Sequence, residues 1–410
     1  MESRESASYT WSVSAESPYD ILIAGAGPAG CAAAYDLARA GKRVLLLDRR
    51  SFPRHKACAC GLTRKTLAAL RYSVEPVIER VCHEIVLQQA SDDLKYREVR
   101  VKARKPICAM AMRERFDAFC LEQTLASGRD GGSATFLKIE TIAAIRELAD
   151  SVELDIVTAD GPHTLTASAF IGADGSNGQT RRMMRVLSPP AQDSVQDDGF
   201  ALEATVPYSA LPAQLPAGDA PHDLIFDFAP LPGGYGWLFP KGDHINIGVG
   251  AFAPSDGMPS ADLKQVTRTL LHEYALRKLG VSTLEHITGQ HLGMGGHTYV
   301  PRGRVLLVGD AAGLVDPLTG EGIHSAIVSG QAAAAALLSD EPDIAAAYAR
   351  ELAPLQQTLA FSHRAARAFY REPARGFKAM RIPFLRSLIL RTYADGLPHM
   401  RLLTALAKLV

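Results

Sequence analysis

Asp20-Ile-Leu-Ile-Ala-Gly-Ala-Gly-Pro-Ala-Gly30 is an apolar run that ends in G-x-G-x-x-G. The pattern predicts a buried strand, a tight turn and a helix. Gly25 allows the chain to turn out of the strand. Gly27 has no side chain, so a pyrophosphate can approach the backbone. Pro28 and Ala29 lead into the helix, and Gly30 lets it pack closely on the strand. The helix N-terminus offers free N–H groups and a positive dipole end to phosphates. A second apolar run, Val44-Leu-Leu-Leu-Asp48, ends on an acid. Asp48, followed by Arg49, is expected to meet the ribose hydroxyls. A lone G-x-G-x-x-G is weak. Here the strand before it, the alanine-rich helix after it, Gly41 as helix stop and the acid agree on a dinucleotide site.

The bulk numbers set the frame. A chain of 410 residues is expected to hold two or three domains. Its composition, 47% hydrophobic and 21% charged, is that of a globular protein. Formal net charge is zero, so no global field attracts nucleic acid, and none is expected as a partner. The balance hides an asymmetry: residues 361–410 hold ten Lys/Arg and two acids, a local charge of +8. The six cysteines, Cys31, Cys58, Cys60, Cys82, Cys108 and Cys120, lack the spacing of a disulfide framework. A reducing, cytoplasmic setting is the default expectation. The mostly polar residues 1–18 are expected to be disordered. No run of about 18 apolar residues predicts a membrane-spanning helix.

A second motif lies far along the chain, at Arg302-Gly-Arg-Val-Leu-Leu-Val-Gly-Asp-Ala-Ala-Gly-Leu-Val-Asp-Pro-Leu-Thr-Gly-Glu-Gly-Ile323. A buried strand there would deliver Gly309 and Asp310 to its C-terminal end, where open α/β sheets bind ligands. The Asp310 carboxylate can accept hydrogen bonds from a ribityl chain. Gly320 and Gly322 let backbone approach a flat ring. A helix opening at Ile323 would aim its N-terminus at the N1–C2=O edge of a reduced flavin. In this order, the two motifs point to FAD.

Between the motifs the periodicity changes. Residues 83–110 alternate polar and apolar, and 135–175 return to strands. Residues 223–252 are strand-like and rich in aromatics. Helices are expected over residues 113–125, 261–279 and 323–338, and beyond them to the end, with breaks at Pro373, Pro383 and Pro398. The expected fold is α/β (α+β overall). A Rossmann-like FAD-binding domain (residues 19–82, 106–185 and 295–345) is interrupted by an antiparallel-sheet substrate domain (83–105 and 186–294). A basic helical region, 346–410, follows as a small appendage.

The blocks Gly25–Gly30, Ile171-Gly-Ala-Asp-Gly175 and Gly309–Gly322 resemble the p-hydroxybenzoate-hydroxylase-like FAD superfamily. Phe52-Pro-Arg-His-Lys-Ala-Cys-Ala-Cys-Gly-Leu-Thr63 is similar to the F-P-R-x-K-x-C-G-G-G-L-T segment of geranylgeranyl reductases. Tyr235-Gly-Trp-Leu-Phe-Pro-Lys241, followed by Asn246-Ile-Gly248, is similar to that family's Y-x-W-x-F-P-K and N-x-G blocks. The resemblance spans about residues 18–345. It implies a catalytic cysteine beside the isoalloxazine at Cys58, with Cys60 in place of a family glycine. It implies that Arg113 contacts the ribityl or pyrophosphate region and that Asp174 is close to the cofactor. It makes Tyr235, Trp237, Phe239 and Pro240 a substrate-pocket wall. The implied reaction is reduction of isolated double bonds in a polyprenyl group; the electron donor is left open, with NADPH and ferredoxin as candidates.

Blander readings apply residue by residue. A lone cysteine is most often a small buried hydrophobe. Aromatics on strands commonly fill a core. His55 and Lys56 are expected to be solvated, and Glu321 to be a loop carboxylate without a role in proton transfer. No set of cysteines and histidines completes a metal site. The basic tail is either a solvated helix face or an anchor on an anionic membrane surface. Two other functions share the FAD motifs: a flavin monooxygenase or halogenase, and a non-catalytic flavoprotein that binds an isoprenoid or senses redox state through Cys58 and Cys60.

Overall fold

A computed structural model describes residues 19–90, 96–187, 198–216, 220–228, 233–251 and 260–396. The N-terminal extension, Pro398 and the apolar stretch from Leu402 lie outside the described residues.

The first motif builds the centre of a five-stranded parallel sheet. Its order is Val305–Leu307, Ala169–Gly172, Ile21–Ala24, Arg43–Asp48, Ser133–Lys138. The inner strands are continuous apolar runs because both faces are covered. Ile21, Ile23, Val44, Leu46, Ala169 and Ile171 face a helical layer. Leu22, Leu45, Leu47 and Phe170 face the antiparallel meander Thr141–Glu147, Val152–Thr158 and Gly161–Ala167. Each large aliphatic side chain buried this way contributes about 2 kcal/mol. The helical layer contains Pro28–Arg39, Arg113–Leu125 and Ile323–Leu338, each where the sequence predicts it. Small residues let the first and last of these helices touch. A Cβ on Gly330 would lie 2.2 Å from the Ala29 carbonyl oxygen.

A seven-stranded sheet faces this core across the ligand cavity. Its order is Thr288–Gly293, Asp198–Pro207, His244–Ala251, Gly234–Pro240, Leu224–Asp227, Glu84–Ala90, Tyr96–Lys102. Every pairing is antiparallel except that of Leu224–Asp227 with Glu84–Ala90, which is parallel. No hairpin links those two strands: the chain between them passes through the FAD-binding core, so nothing local sets their direction. Strand alternation separates the faces of the sheet. Leu238, Ile245, Ile247 and Val249 pack under helix Ser260–Leu279, through Leu271, Tyr274, Ala275 and Leu279. Tyr235, Trp237 and Phe239 take the opposite face, with Phe226 from the next strand.

The N-x-G block has a structural cause. Asn246 Oδ1 accepts a hydrogen bond from Trp237 Nε1 at 2.7 Å. Gly248 is the register partner of Trp237, and a Cβ on it would lie 2.0 Å from the indole Cζ2. Only a glycine leaves room for the ring to lie flat across the neighbouring strand.

The C-terminal region is not the small appendage expected from the sequence. Helices Ile344–Arg371, Pro373–Met380 and Pro383–Asp395 fold back over the aromatic face of the large sheet. Ala366, Tyr370 and Ala394 join its core cluster, and Phe377 and Met380 pack on Val99 and Val101. Their apolar faces cover part of the sheet face that helix Ser260–Leu279 leaves open. Among the described residues no helix is long and apolar enough to cross a membrane.

Candidate active site

One cavity of about 410 Å³ runs from the N-terminus of helix Pro28–Arg39 to the aromatic face of the large sheet. At the first end, Gly25 takes φ +100°, and a Cβ there would lie 2.3 Å from the Ala173 carbonyl oxygen. Gly27 opens onto the cavity, its nearest neighbour being the guanidinium of Arg54. Gly30 does not line the cavity. It is pressed against the strand, where a Cβ would lie 1.9 Å from the Gly25 carbonyl oxygen. Asp48 stands at the end of its strand and accepts from the backbone N–H groups of Ala26, at 3.0 Å, and Arg50, at 2.9 Å. Arg49 lines the same mouth.

Asp310, Gly320, Gly322 and Ile323 line the middle of the cavity. Gly309 lies behind them with φ +55°, its N–H bonded to Ser329 Oγ at 2.9 Å. The loop before Gly320 is clamped from the substrate side. Tyr235 donates its hydroxyl to the Thr319 carbonyl, and Tyr370 donates to that of Leu318 at 2.7 Å. Asp316 ties the loop to helix Ile344–Arg371 through Ser362 Oγ at 2.8 Å. Glu321 is held by Thr63, Thr66 and an ion pair with Lys65 at 2.6 Å, which leaves it a structural carboxylate. Asp174 lines the cavity, but its carboxylate caps helix Gln179–Leu187 through the Thr180 N–H at 2.9 Å. A Cβ on Gly178 would lie 2.2 Å from that carboxylate, which explains the glycine there.

These residues fit FAD. The space in front of Gly27 is open, Ala29 and Arg54 line it, and the carboxylates of Asp48 and Asp310 would accept hydrogen bonds from hydroxyls of the nucleotide and the ribityl chain. Lys56 departs from the sequence expectation. It is partly buried, lines the cavity and lies 4.0 Å from Asp310. Burial and the nearby Arg113 lower its pKa from the ordinary lysine value. The fold carries it there because the whole segment 54–61 lies along the cavity.

That segment holds the two cysteines. Cys58 and Cys60 both line the cavity, and the Cys60 N–H donates to Cys58 Sγ at 3.3 Å. Cys60 has φ +47°, a left-handed conformation that favours glycine, so the substitution puts strain where the family pattern has none. A hydrogen bond from the Cys60 thiol and the charge of Arg113 hold the Cys58 thiol well below its usual pKa, against the opposing effect of burial. The same contact and burial push Cys60 up. Arg113 is itself buried, with Nε on Asp117 at 2.7 Å. Lys241 is 1% exposed and donates Nζ to the carbonyls of Ala59 and Ala111, so the large sheet grips the cysteine segment through one ammonium group.

Tyr235, Trp237 and Phe239 form the far wall with Phe226, and Pro240 does not reach it. Their rings meet edge to face, Phe226 lying 5.3 Å from Tyr235 and 5.1 Å from Phe239. Tyr393, from the last described helix, completes this wall 6.2 Å from Phe226. The sequence carried no signal for it. Glu203 was missed as well. It is 7% exposed, lines the cavity, and accepts the Cys58 N–H on Oε1 at 2.7 Å. The sequence did not single it out, since the same strand also carries Asp198 and Thr205.

The FAD binding domain family matches residues 18–340. The chain is 30% identical to the menaquinone reductase of Mycolicibacterium smegmatis, over 78% of this chain and 76% of that protein. It is 28% identical to the geranylgeranyl diphosphate reductase of Rhodobacter capsulatus, over 78% and 75%. It is 30% identical to digeranylgeranylglycerophospholipid reductase 1 of Methanopyrus kandleri, over 77% and 79%. This chain belongs to the geranylgeranyl reductase family of FAD-dependent oxidoreductases. A geranylgeranyl bacteriochlorophyll reductase-like protein of Thermoplasma acidophilum shares the fold with a TM-score of 0.70, at 21% identity over 86% and 87% of the two chains. A flavin-dependent brominase also has a TM-score of 0.70, at 16% identity over 92% and 93%. The fold is therefore common to reductases and halogenases. Of the sequence blocks that mark this chain as a reductase relative, the cysteine segment, Tyr235, Trp237 and Phe239 line the cavity, while Lys241, Asn246 and Gly248 hold those residues in place.

Proposed function

We propose that this flavoprotein saturates carbon–carbon double bonds of a polyprenyl group carried on a lipid or quinone. The observation that carries the reading is the continuity of the cavity. The FAD cradle, Cys58 and a five-ring apolar wall share it. The names of the relatives support the substrate class. Bound in its reduced form, FAD would supply the hydride. The protein supplies the rest. Phe226, Trp237, Phe239 and Tyr393 give an isoprenoid chain a dry surface. Burying each CH₂ contributes roughly 0.8 kcal/mol, of which ordering the chain offsets a large share. An isolated alkene accepts hydride poorly, so one positioned acid must protonate the second carbon. Cys58, held toward its thiolate, places negative charge beside the positive character that protonation develops.

The test is anaerobic. Protein reduced with dithionite and mixed with a geranylgeranyl lipid should reoxidise its flavin, and product mass should rise by about two units per double bond, one hydride and one proton each time. Oxygen-dependent turnover to a hydroxylated or halogenated product, with none under anaerobic conditions, would instead favour the second reading. Lys56 is the residue that speaks for that reading, because it brings an ammonium group into the cavity.

The substrate class also implies contact with a membrane surface. The last helices expose Ile382 (48%), Phe384 (59%) and Ile389 (36%), beside exposed Arg381 and Arg391. We infer that this face meets anionic lipid. Each basic residue near such a surface contributes about 1 kcal/mol, and less in salt. Wild-type protein should float with anionic vesicles, and Phe384→Asp should not. Equal flotation with neutral and anionic vesicles would remove the electrostatic part.

A further inference from the structure

The acid that the reaction requires is not named by any family block. We propose that Glu203, in the middle of strand Asp198–Pro207, is the group that delivers the proton to the alkene. The inference rests on the double-bond reduction proposed above.

Geometry selects Glu203. On its strand, Phe200, Leu202, Ala204 and Val206 turn to the helix-covered core. Ala201 and Glu203 turn the other way, into the cavity. The carboxyl is buried against the cysteine segment, on the strand that pairs with His244–Ala251. Oε1 accepts the Cys58 N–H at 2.7 Å. The Asn246 side chain bonds it from the neighbouring strand. Trp237 Nε1 occupies Asn246 Oδ1, so the Asn246 amide must present its NH₂ to Glu203. Glu203 is therefore joined by hydrogen bonds to the backbone of Cys58 and, through Asn246, to the indole of the wall. Among the described residues no ion pair neutralises it. The charged groups facing it are Cys58 from the 54–61 segment and Lys241 from the end of strand Gly234–Pro240, with Arg113 and Cys60 beyond Cys58. Lys241 is committed to two backbone carbonyls.

Burial, reinforced by the negative Cys58, raises the Glu203 carboxyl to about 7. Below about pH 7 Glu203 keeps its proton, while the Cys60 thiol and the charge of Arg113 favour the anion at Cys58. Glu203 is the acid of the pair. In the step, the O–H bond of Glu203 breaks and a C–H bond forms at one alkene carbon. The other carbon takes the hydride supplied by the reduced cofactor, and the π pair is consumed. Glu203 is left as a carboxylate and takes a proton from water through the open part of the cavity.

Glu203→Gln keeps the shape and an oxygen for the Cys58 N–H, but cannot give up a proton. FAD content and urea midpoint should be those of wild type. Single-turnover flavin reoxidation by a geranylgeranyl lipid should fall about 10²- to 10⁴-fold. The wild-type rate should decline as pH rises through about 7, and this limb should vanish in the variant. An activity-independent readout accompanies this. Infrared difference spectra of the resting protein between about pH 5 and about pH 9 should show loss of a buried protonated-carboxyl band, absent from Glu203→Gln. A variant that reacts at the wild-type rate with the wild-type pH profile, or an infrared spectrum without that band, would overturn the proposal. The two failures are separable. Wild-type protein that saturates no double bond at any pH sinks the reading of the reaction, while the infrared band reports the proton on Glu203 by itself.

Discussion

Gly27→Val yields folded protein that retains almost no FAD. Gly27 caps helix Pro28–Arg39 with φ −82° and ψ −172°, an extended conformation that valine adopts freely. A Cβ there meets nothing closer than the Arg54 guanidinium at 3.5 Å, so the backbone is not disturbed. The branched side chain instead occupies the open space in front of the helix N–H groups. Charge-assisted hydrogen bonds from those groups to a pyrophosphate contribute about 1.5–3 kcal/mol each. Losing two weakens the cofactor by at least about 100-fold. Gly30→Val is the contrast. Its Cβ would lie 1.9 Å from the Gly25 carbonyl oxygen, so the strand and helix cannot pack and the fold itself fails. Flavin absorbance per protein, beside circular dichroism, separates the two cases. Full yellow occupancy in Gly27→Val would show that the cradle is wrongly placed.

Lys241→Met loosens the segment that carries both cysteines. The ammonium is buried and donates to the carbonyls of Ala59 and Ala111. Ala59 lies between Cys58 and Cys60, and Ala111 ends strand Cys108–Ala111, which also pairs with Gly61–Thr63. Methionine fills the volume and donates nothing. The buried Ala111 carbonyl and the partly buried Ala59 carbonyl then lose their side-chain donor, at about 1–3 kcal/mol each, and the ammonium's desolvation cost is relieved in part. A net loss of about 2 kcal/mol, roughly 30-fold in the unfolding equilibrium, is expected in urea titration. Cys60 should also relax from its left-handed conformation. The absorbance of the Cys58 thiolate should then titrate at higher pH than in wild type, because the Cys60 thiol that lowers its pKa moves away. An unchanged urea midpoint together with an unchanged thiolate titration would remove Lys241 from the architecture of the site.

The family blocks differ in how far sequence alone explains them. In Asp20–Gly30 the glycines have local causes, a turn at Gly25 and a contact of Gly30 with the Gly25 carbonyl, to which the structure adds the distant Ala173 carbonyl against Gly25. The alternation of Tyr235, Trp237 and Phe239 likewise predicts one shared face. Lys241 and Gly248 are different. Their reasons lie across the fold, in two carbonyls from a distant segment and in the indole of the neighbouring strand. A string can display such residues but cannot say what they touch. Glu203 lies further out of reach, since only its burial against Cys58 and Asn246 distinguishes it from any acid on a strand.

The cofactor, the class of fold and the identity of the cysteine segment were legible in the chain alone. These rest on short-range patterns: apolar runs of strand length, glycines at turns, and the acids Asp48 and Asp310 after two of those runs. Backbone sterics and hydrogen bonding act over a few residues, so a few residues suffice to report them. Tertiary structure alone decided which side chains share the cavity. It drew Lys56 in beside Asp310, set Glu203 behind Cys58, and folded the C-terminal helices over the aromatic sheet so that Tyr393 completed its wall. Burial, and with it the protonation of Glu203 and Cys58, depends on everything packed around a group, and that is settled only when distant segments meet.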